Sequence, residues 1–234
     1  MTLQEIRKKI RKLANTDTAE VLRGFFKTGP GQYGEGDVFL GINVPVLRKI
    51  AKECRNTSIV DMMRLLRSSI HEERVLALFL LVAAYIRGDD AEKKKIYSLY
   101  LKNTRFINNW DLVDLSAPNI VGHHLLDKGR NPLYKLATSR DLWKKRIAIL
   151  ATFTFIRQND FADTLNISQL LLSDEHDLIH KAVGWMLREV GKRDLQTEES
   201  FLKQHYSIMP RTMLRYAIER FPERKRKKYL QGKI

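Results

Sequence analysis

Apolar residues recur at three- and four-residue intervals from residue 2 onward, and short polar stretches separate the segments that carry them. This spacing places apolar side chains along one face of an α-helix. Strands would need alternating runs rich in β-branched residues, and the sequence contains no convincing example. The pattern therefore predicts an all-α protein.

Two kinds of residue predict where helices begin. In a capping-box pair, two side chains satisfy unpaired amides of the first turn. Proline fits the first turn because its missing N–H costs nothing there. The predicted starts are the pairs Asp17 with Glu20 and Ser69 with Glu72, and the prolines Pro45 and Pro132.

Small residues in the longer predicted helices can be aligned with one another, and a shorter, more polar helix precedes each. The aligned residues are Ala77, Ala117, Ala148, Gly184 and Ala217, at spacings of 40, 31, 36 and 33 residues. Two-helix units of this length stack into an α–α superhelix of HEAT-like repeats, with residues 1–234 as one domain. Alanine is common in any helical protein, so the alignment alone does not establish repeats.

Charge narrows the choice of partner. The chain has 42 Lys and Arg against 27 Asp and Glu, a net charge of +15, and a pI near 9.9. This balance favours a polyanion, and nucleic acid is the leading candidate. A basic peripheral membrane protein is the alternative, but no lipidation motif is found and the charge is spread through the chain.

The excess charge is densest at the end of the chain. Residues 200–234 carry ten Lys or Arg against Glu219 and Glu223. Cations such as Arg211 and Arg215 on terminal helices would suit phosphates in a sequence-independent manner. The same segment could instead be a solvated cap that closes the last repeat, and both roles are compatible.

Several classes of protein are excluded by what the sequence lacks. Its longest apolar run, Val75 to Ile86, has 12 residues, whereas a membrane-spanning helix needs about 20. The opening residues carry charges among the apolar ones and do not form a secretory signal, so a cytoplasmic location is expected. Cys54 is the only cysteine, which excludes an intrachain disulfide and a cysteine-based zinc cluster.

Residues 29–41 form a glycine-rich loop that imitates a cofactor motif. Gly29, Gly31 and Gly34 have the G-x-G-x-x-G spacing. A dinucleotide site needs a preceding strand, whereas residues 21–28 are predicted to be helical and Pro45 opens the next helix. We therefore predict no dinucleotide cofactor. The loop, with Tyr33 and Phe39, either lies against a ligand or DNA or simply connects two helices.

The histidines do not predict a metal site. Only His176 and His180 have the i, i+4 spacing of a helical metal pair, and neither the HExxH glutamate nor a third ligand is identifiable. Capping and packing roles are expected for them. No nucleophile elbow, Walker loop or kinase motif is present, so we predict no metal, no cofactor and no nucleotide-driven chemistry.

Three segments contain residues of unusual type for a helical core. NNWDLVD (108–114) places Trp110 and Asp114 four residues apart, on one helix face. WKKRIAIL (143–150) contains Arg146, and KAVGWMLRE (181–189) contains Trp185. Taken singly, each residue has an ordinary explanation: buried tryptophans, a paired aspartate and an arginine that extends to the surface.

Together these segments resemble the AlkD-type HEAT-like-repeat DNA glycosylases, which remove alkylated purines. The resemblance covers nearly the whole chain and is strongest over residues 105–193, while the glycine-rich loop departs from the family's best-known members. It implies a concave basic groove that cradles double-stranded DNA. The residues that match the family's active site are Trp110, Asp114, Arg146 and Trp185. With the basic charge, the implied DNA contacts are Lys27, Tyr33, Lys145, Arg146, Arg188, Arg211 and Arg215.

The implied chemistry suits these residue types. A purine alkylated at N3 or N7 is already cationic, so it leaves without a general acid. An ionised Asp114 would stabilise the oxocarbenium-like sugar and orient water, and Trp110 and Trp185 would face the cationic sugar and base. Arg146 would hold a flanking phosphate. The expected product is an abasic site, formed by a monomer without base flipping. A non-catalytic binder of damaged, bent or branched DNA and a protein-interaction scaffold are the alternatives.

Overall fold

The computed structural model describes residues 1–234 and confirms the all-α prediction. Two compact units divide the chain, Met1–Ser116 and Ala117–Ile234. The first contains α1 (Leu3–Arg11), α2 (Thr16–Phe25), α3 (Val44–Glu53), α4 (Ile59–Leu66), α5 (His71–Arg87) and α6 (Asp90–Lys102). It also contains α7 (Trp110–Ala117) except for the last residue of that helix. The second contains a π turn (Pro118–Gly122), α8 (Asn131–Ala137), α9 (Leu142–Ala151), α10 (Phe153–Ile156), α11 (Ala162–Leu170), α12 (Asp177–Gly191), α13 (Leu195–His205), α14 (Arg211–Ala217) and α15 (Glu223–Gln231).

Helix α5 is the centre of the first unit. Every residue from His71 to Leu78 is buried, because α3, α4 and α6 pack around this helix. Helix α1 buries Ile6 and Ile10, whose four-residue spacing places them on one face. The helical periodicity of the sequence thus corresponds to real buried faces, and α5 is enclosed on most of its circumference.

The predicted helix starts are partly right. Pro45 and Pro132 lie in the first turns of α3 and α8, as expected. Both predicted capping boxes are wrong. Asn15 caps α2, with its side chain accepting from the amide of Thr18, and α5 begins after Ile70 without a side-chain cap.

Glu72 explains the failure at α5. Its carboxylate accepts hydrogen bonds from the backbone N–H groups of Leu40, Gly41 and Ile42, at 2.8–3.2 Å. The glutamate therefore satisfies the amides of the preceding loop instead of the amides of its own helix. Sequence spacing cannot distinguish these two uses of one carboxylate.

The glycine-rich loop is packed against its neighbours. Helix α2 precedes it and α3 follows it, in agreement with the predicted helices on either side. A Cβ atom on Gly41 would lie 2.1 Å from the carbonyl oxygen of Asn15, and its φ of +82° is also unfavourable for other residues. Phe39 is buried and does not lie on the surface as a DNA contact would require, whereas Tyr33 is half-buried.

Helix α12 is the centre of the second unit and packs against α9, α13 and α14. The alignment of small residues predicts that Gly184 of this helix is a close-packing residue. A Cβ atom there would lie 2.4 Å from the carbonyl oxygen of Met213 and 2.5 Å from the Cβ of Tyr216. The predicted close approach is therefore present between α12 and α14. The grouping of helices into HEAT-like repeats and into one domain stays a prediction.

None of the helices combines the length and the apolar character needed to cross a membrane.

Candidate functional site

Helix α7 carries the pair that the sequence singled out. Asn109 precedes its first turn, and the side-chain oxygen of Asn109 accepts from the amide of Trp110 at 2.8 Å. Trp110 and Asp114 follow one turn apart, and both are half-buried. The predicted helix face exists, with an indole and a carboxyl group next to each other along it.

Trp110 belongs to a cluster of aromatic rings. Its ring stacks on Phe26 at 5.2 Å between centroids and 14° between planes, and the ring of Phe25 lies at 77° to it, with 5.8 Å between centroids. Phe26 in turn stacks on Phe39 at 5.0 Å. The ordinary packing role considered for this tryptophan is therefore real for one of its faces, and the cluster restrains the plane of the indole.

A buried network of charged side chains lies beside this cluster. The His71 Nδ1 is 3.0 Å from an oxygen of Asp37, and its Nε2 is 2.8 Å from Oδ2 of Asp111. The guanidinium of Arg74 donates to the other Asp37 oxygen at 2.6 Å. Asp37 comes from the glycine-rich loop and Asp111 from the first turn of α7, so His71 links the two segments.

The environment sets the charge of these groups. Burial alone would lower the pKa of His71, but its hydrogen bonds to Asp111 and Asp37 outweigh burial and raise that pKa to about 9. Burial would raise the pKa of Asp37, but the hydrogen bond from His71 and the charge of Arg74 hold it below its ordinary value. At neutral pH, His71 is therefore a buried imidazolium between two carboxylates.

Sequence reasoning missed Asp37, His71 and Asp111. Asp111 stood beside Trp110 within NNWDLVD, so a local signal was present. His71 and Asp37 gave no such signal, because they are 40 and 34 residues away from their respective partners, Asp111 and His71.

An apolar pocket of about 290 Å³ opens next to Trp110. It is lined by Leu22, Phe25, Phe26, Phe39, Ile42, Asn43, Val44, Leu47, His71, Glu72, Val75, Trp110 and Asp111. His71 and Glu72 in this wall already bind protein partners, His71 with Asp111 and Glu72 with loop amides, whereas Oδ1 of Asp111 is buried without a hydrogen bond. The pocket thus offers apolar and aromatic surface but few polar groups that could read the edge of a base.

Two predicted active-site residues belong to the second unit. Arg146 on α9 is 5% exposed, and its guanidinium donates to the carbonyl oxygen of Leu178 at 2.6 Å. Trp185 on α12 is half-buried, and its indole N–H donates to Glu189 at 3.0 Å. Arg146 is more deeply placed than a purely phosphate-binding arginine needs to be. Both functional roles stay predictions.

The predicted DNA-contacting residues fall into two groups. Lys27, Arg211 and Arg215 are exposed. Lys145 forms an ion pair with Asp174 at 2.5 Å, and Arg188 forms ion pairs with Glu219 and Glu189. The exposed cations are available to phosphates directly, whereas the paired ones would have to exchange a carboxylate for a phosphate.

Of the two histidines for which capping and packing roles are expected, His176 caps a helix. His176 is the N-cap of α12, and its Nδ1 accepts from the amide of Leu178 at 3.1 Å. The Nε2 of His180 lies 2.5 Å from the carbonyl oxygen of Asp174. No group of three or more His, Cys, Asp or Glu side chains in the structure is arranged to hold a metal ion.

Comparison with known proteins gives the family. The chain is similar to a solved structure, a predicted DNA alkylation repair enzyme from Enterococcus faecalis, with a TM-score of 0.68 and 17% identity over 90% of this chain and 97% of that one. This likeness shows the fold, which is consistent with the expected α–α superhelix. No curated protein matches the sequence. The family model of DNA alkylation repair enzymes matches residues 6–221, so this chain belongs to that family and acts in DNA repair.

Proposed function

We propose that the protein is a monofunctional DNA glycosylase that removes N3- or N7-alkylated purines from duplex DNA and leaves an abasic site. The observation that carries this proposal is the pair on α7, where an indole and a carboxyl group lie one turn apart and are both partly exposed. Membership in a DNA alkylation repair family supports DNA as the substrate.

The reaction needs few groups because the substrate is already activated. When the glycosidic bond breaks, its electron pair neutralises the cationic purine, which leaves without protonation. The sugar becomes oxocarbenium-like, and the Asp114 carboxylate stabilises this charge. Water then adds to the anomeric carbon, and its proton passes to Asp114 or to solvent. No lysine is required as a nucleophile, and no metal or cofactor is invoked.

The hydrogen bond from His71 gives one of the two aspartates of α7 a structural role. Oδ2 of Asp111 is committed to His71, and Asp111 is therefore a structural partner in this proposal. Asp114 lies one turn after Trp110 and is assigned the catalytic role. Trp110 would face the developing cation, an interaction of about 0.5–2 kcal/mol. Trp185 would do the same, and Arg146 would hold a flanking phosphate.

The apolar pocket supports a reaction without base flipping. Enzymes that extrude a base read it through hydrogen bonds to its Watson–Crick edge. The His71 and Glu72 side chains in the pocket wall are already bound within the protein. We therefore propose that the lesion stays in the stack, and that a monomer acts from one side of the duplex.

One incubation tests the proposed activity. The purified protein is mixed with duplex DNA that contains 7-methylguanine, and the freed base is quantified by chromatography, with the Asp114→Asn variant as the matched control. We expect release by the wild-type protein and almost none by the variant. Binding of this DNA without any release would favour the second candidate, a non-catalytic protein that recognises damaged or bent DNA.

A further inference from the structure

We propose that His71 is a positioning residue for the reaction on α7. It holds Asp111, and through the first turn of α7 it sets the position of Trp110 and Asp114 relative to the glycine-rich loop. The consequence for catalysis rests on the proposed glycosylase activity, but the positioning itself can be measured without it.

Both ring nitrogens of His71 are used. Nδ1 meets the carboxylate of Asp37 and Nε2 meets the carboxylate of Asp111. Carboxylates only accept hydrogen bonds, so both contacts require N–H donors, and only the imidazolium has two. A neutral ring would present a lone pair to one carboxylate and would lose that contact.

The ring itself is held in a fixed orientation. It stacks on Phe39 at 4.5 Å with 22° between the planes, and Phe26 lies 5.0 Å away. The backbone N–H of His71 also donates to the carbonyl oxygen of Val38 at 2.8 Å. The first turn of α5 is therefore attached to the loop by its backbone, by Glu72 and by His71.

Asp111 depends on this one partner. Its Oδ1 is buried and makes no hydrogen bond within the protein, so the contact of Oδ2 with His71 compensates most of the cost of burying the carboxylate. Without His71, an unpaired carboxylate would remain next to Trp110. The first turn of α7 would then have to move or take up a proton, and Asp114 would move with it.

We assign His71 no direct contact with the substrate. Its side chain is 3% exposed and lies beneath the aromatic cluster. A misplacement of about 1 Å can cost on the order of a hundredfold in rate, so a residue of this kind can matter without touching DNA.

A double-mutant cycle tests the proposal. The variants are His71→Gln, Asp111→Asn and the double variant, with His205→Gln as a matched control at a histidine in the second unit. Three quantities are measured: the single-turnover rate of 7-methylguanine release, DNA affinity in an Asp114→Asn background, and hydrogen exchange of residues 108–116. Thermal melts confirm that each variant is folded at the assay temperature.

We expect His71→Gln to lower the single-turnover rate by at least about tenfold with DNA affinity nearly unchanged, and to speed exchange in the first turn of α7. The double variant should be no slower than His71→Gln alone, because it no longer contains an unpaired carboxylate. The control should match the wild type.

Two results would overturn the proposal: unchanged rate and unchanged exchange in His71→Gln, or rate losses that simply multiply in the double variant. If the wild-type protein releases no base, the glycosylase proposal fails. The exchange measurement then still decides whether His71 positions α7.

Discussion

The Nε2 of His71 lies 2.8 Å from Oδ2 of Asp111, at the first turn of the helix that carries Trp110 and Asp114. This contact connects a histidine at the start of α5 to the candidate reaction centre. It also gives Asp111 a structural partner, whereas the catalytic role of Asp114 belongs to the proposed function.

The stability of the protein should fall as pH rises from about 6.5 to about 9. The folded-state pKa of His71 is raised to about 9 from an ordinary value of 6.5, so its stabilising contribution is complete below 6.5 and lost above 9. The shift corresponds to roughly 3 kcal/mol. Urea unfolding across this range should show a shallower pH dependence in His71→Gln than in the wild type, and equal slopes would contradict the assignment.

Asp114→Asn and Asp111→Asn should behave differently. Asp114→Asn should nearly abolish the release of 7-methylguanine with duplex affinity almost intact. Asp111→Asn should lower the free energy of unfolding, because His71 loses a charged partner, and should slow release only in part. The measurements are base release, fluorescence anisotropy with labelled duplex, and urea unfolding. Loss of binding in parallel with release would make Asp114 structural.

Glu198→Gln should stabilise the protein at alkaline pH. Glu198 on α13 is buried, its Oε1 has no hydrogen-bond partner, and burial raises its pKa to about 8 from 4.5. The cost of ionising it inside the protein therefore grows as pH rises from about 4.5 to about 8. At pH 9 we expect a gain of roughly 2–4 kcal/mol in urea unfolding. Glu175→Gln, at an exposed glutamate of the same unit, is the control and should show no such gain.

Gly184→Ala should destabilise the second unit. The new methyl group would lie 2.4 Å from the carbonyl oxygen of Met213, so α12 and α14 would have to separate, at a cost of about 1–3 kcal/mol. Gly129→Ala is the control, since nothing lies within 4 Å of its Cβ position. Thermal melts of the two variants compare the sites, and similar melting temperatures would count against close helix packing.

Arg211 and Arg215 should contribute to the salt dependence of DNA binding. Both are exposed on α14, and each phosphate contact adds about 0.9 to the slope of log K against log salt concentration. The double alanine variant should therefore reduce the slope by up to about two units. The double variant Lys94→Ala, Lys95→Ala, at two exposed lysines of α6, removes the same charge and is the comparison. An unchanged slope in the arginine double variant would remove these arginines from the DNA interface.

The periodicity of apolar residues and interactions within one helical turn determined the helical fold and one part of the candidate site. The three- and four-residue spacing of apolar side chains specified an all-α chain, and it did so because the helix repeat brings such residues to one face. Pro45 and Pro132 marked helix starts for a reason that lies within one turn. The pairing of Trp110 with Asp114 on α7 followed from the same short-range geometry.

The tertiary structure decided what each polar side chain does. Glu72 has a capping spacing but binds the amides of a loop some thirty residues away, and Arg146 is buried against the carbonyl oxygen of Leu178. His71 acquires its charge from two carboxylates that are distant in the sequence. The packing of the helices determines these partners, because burial makes an unpaired charge costly. The residues within one helical turn do not determine them.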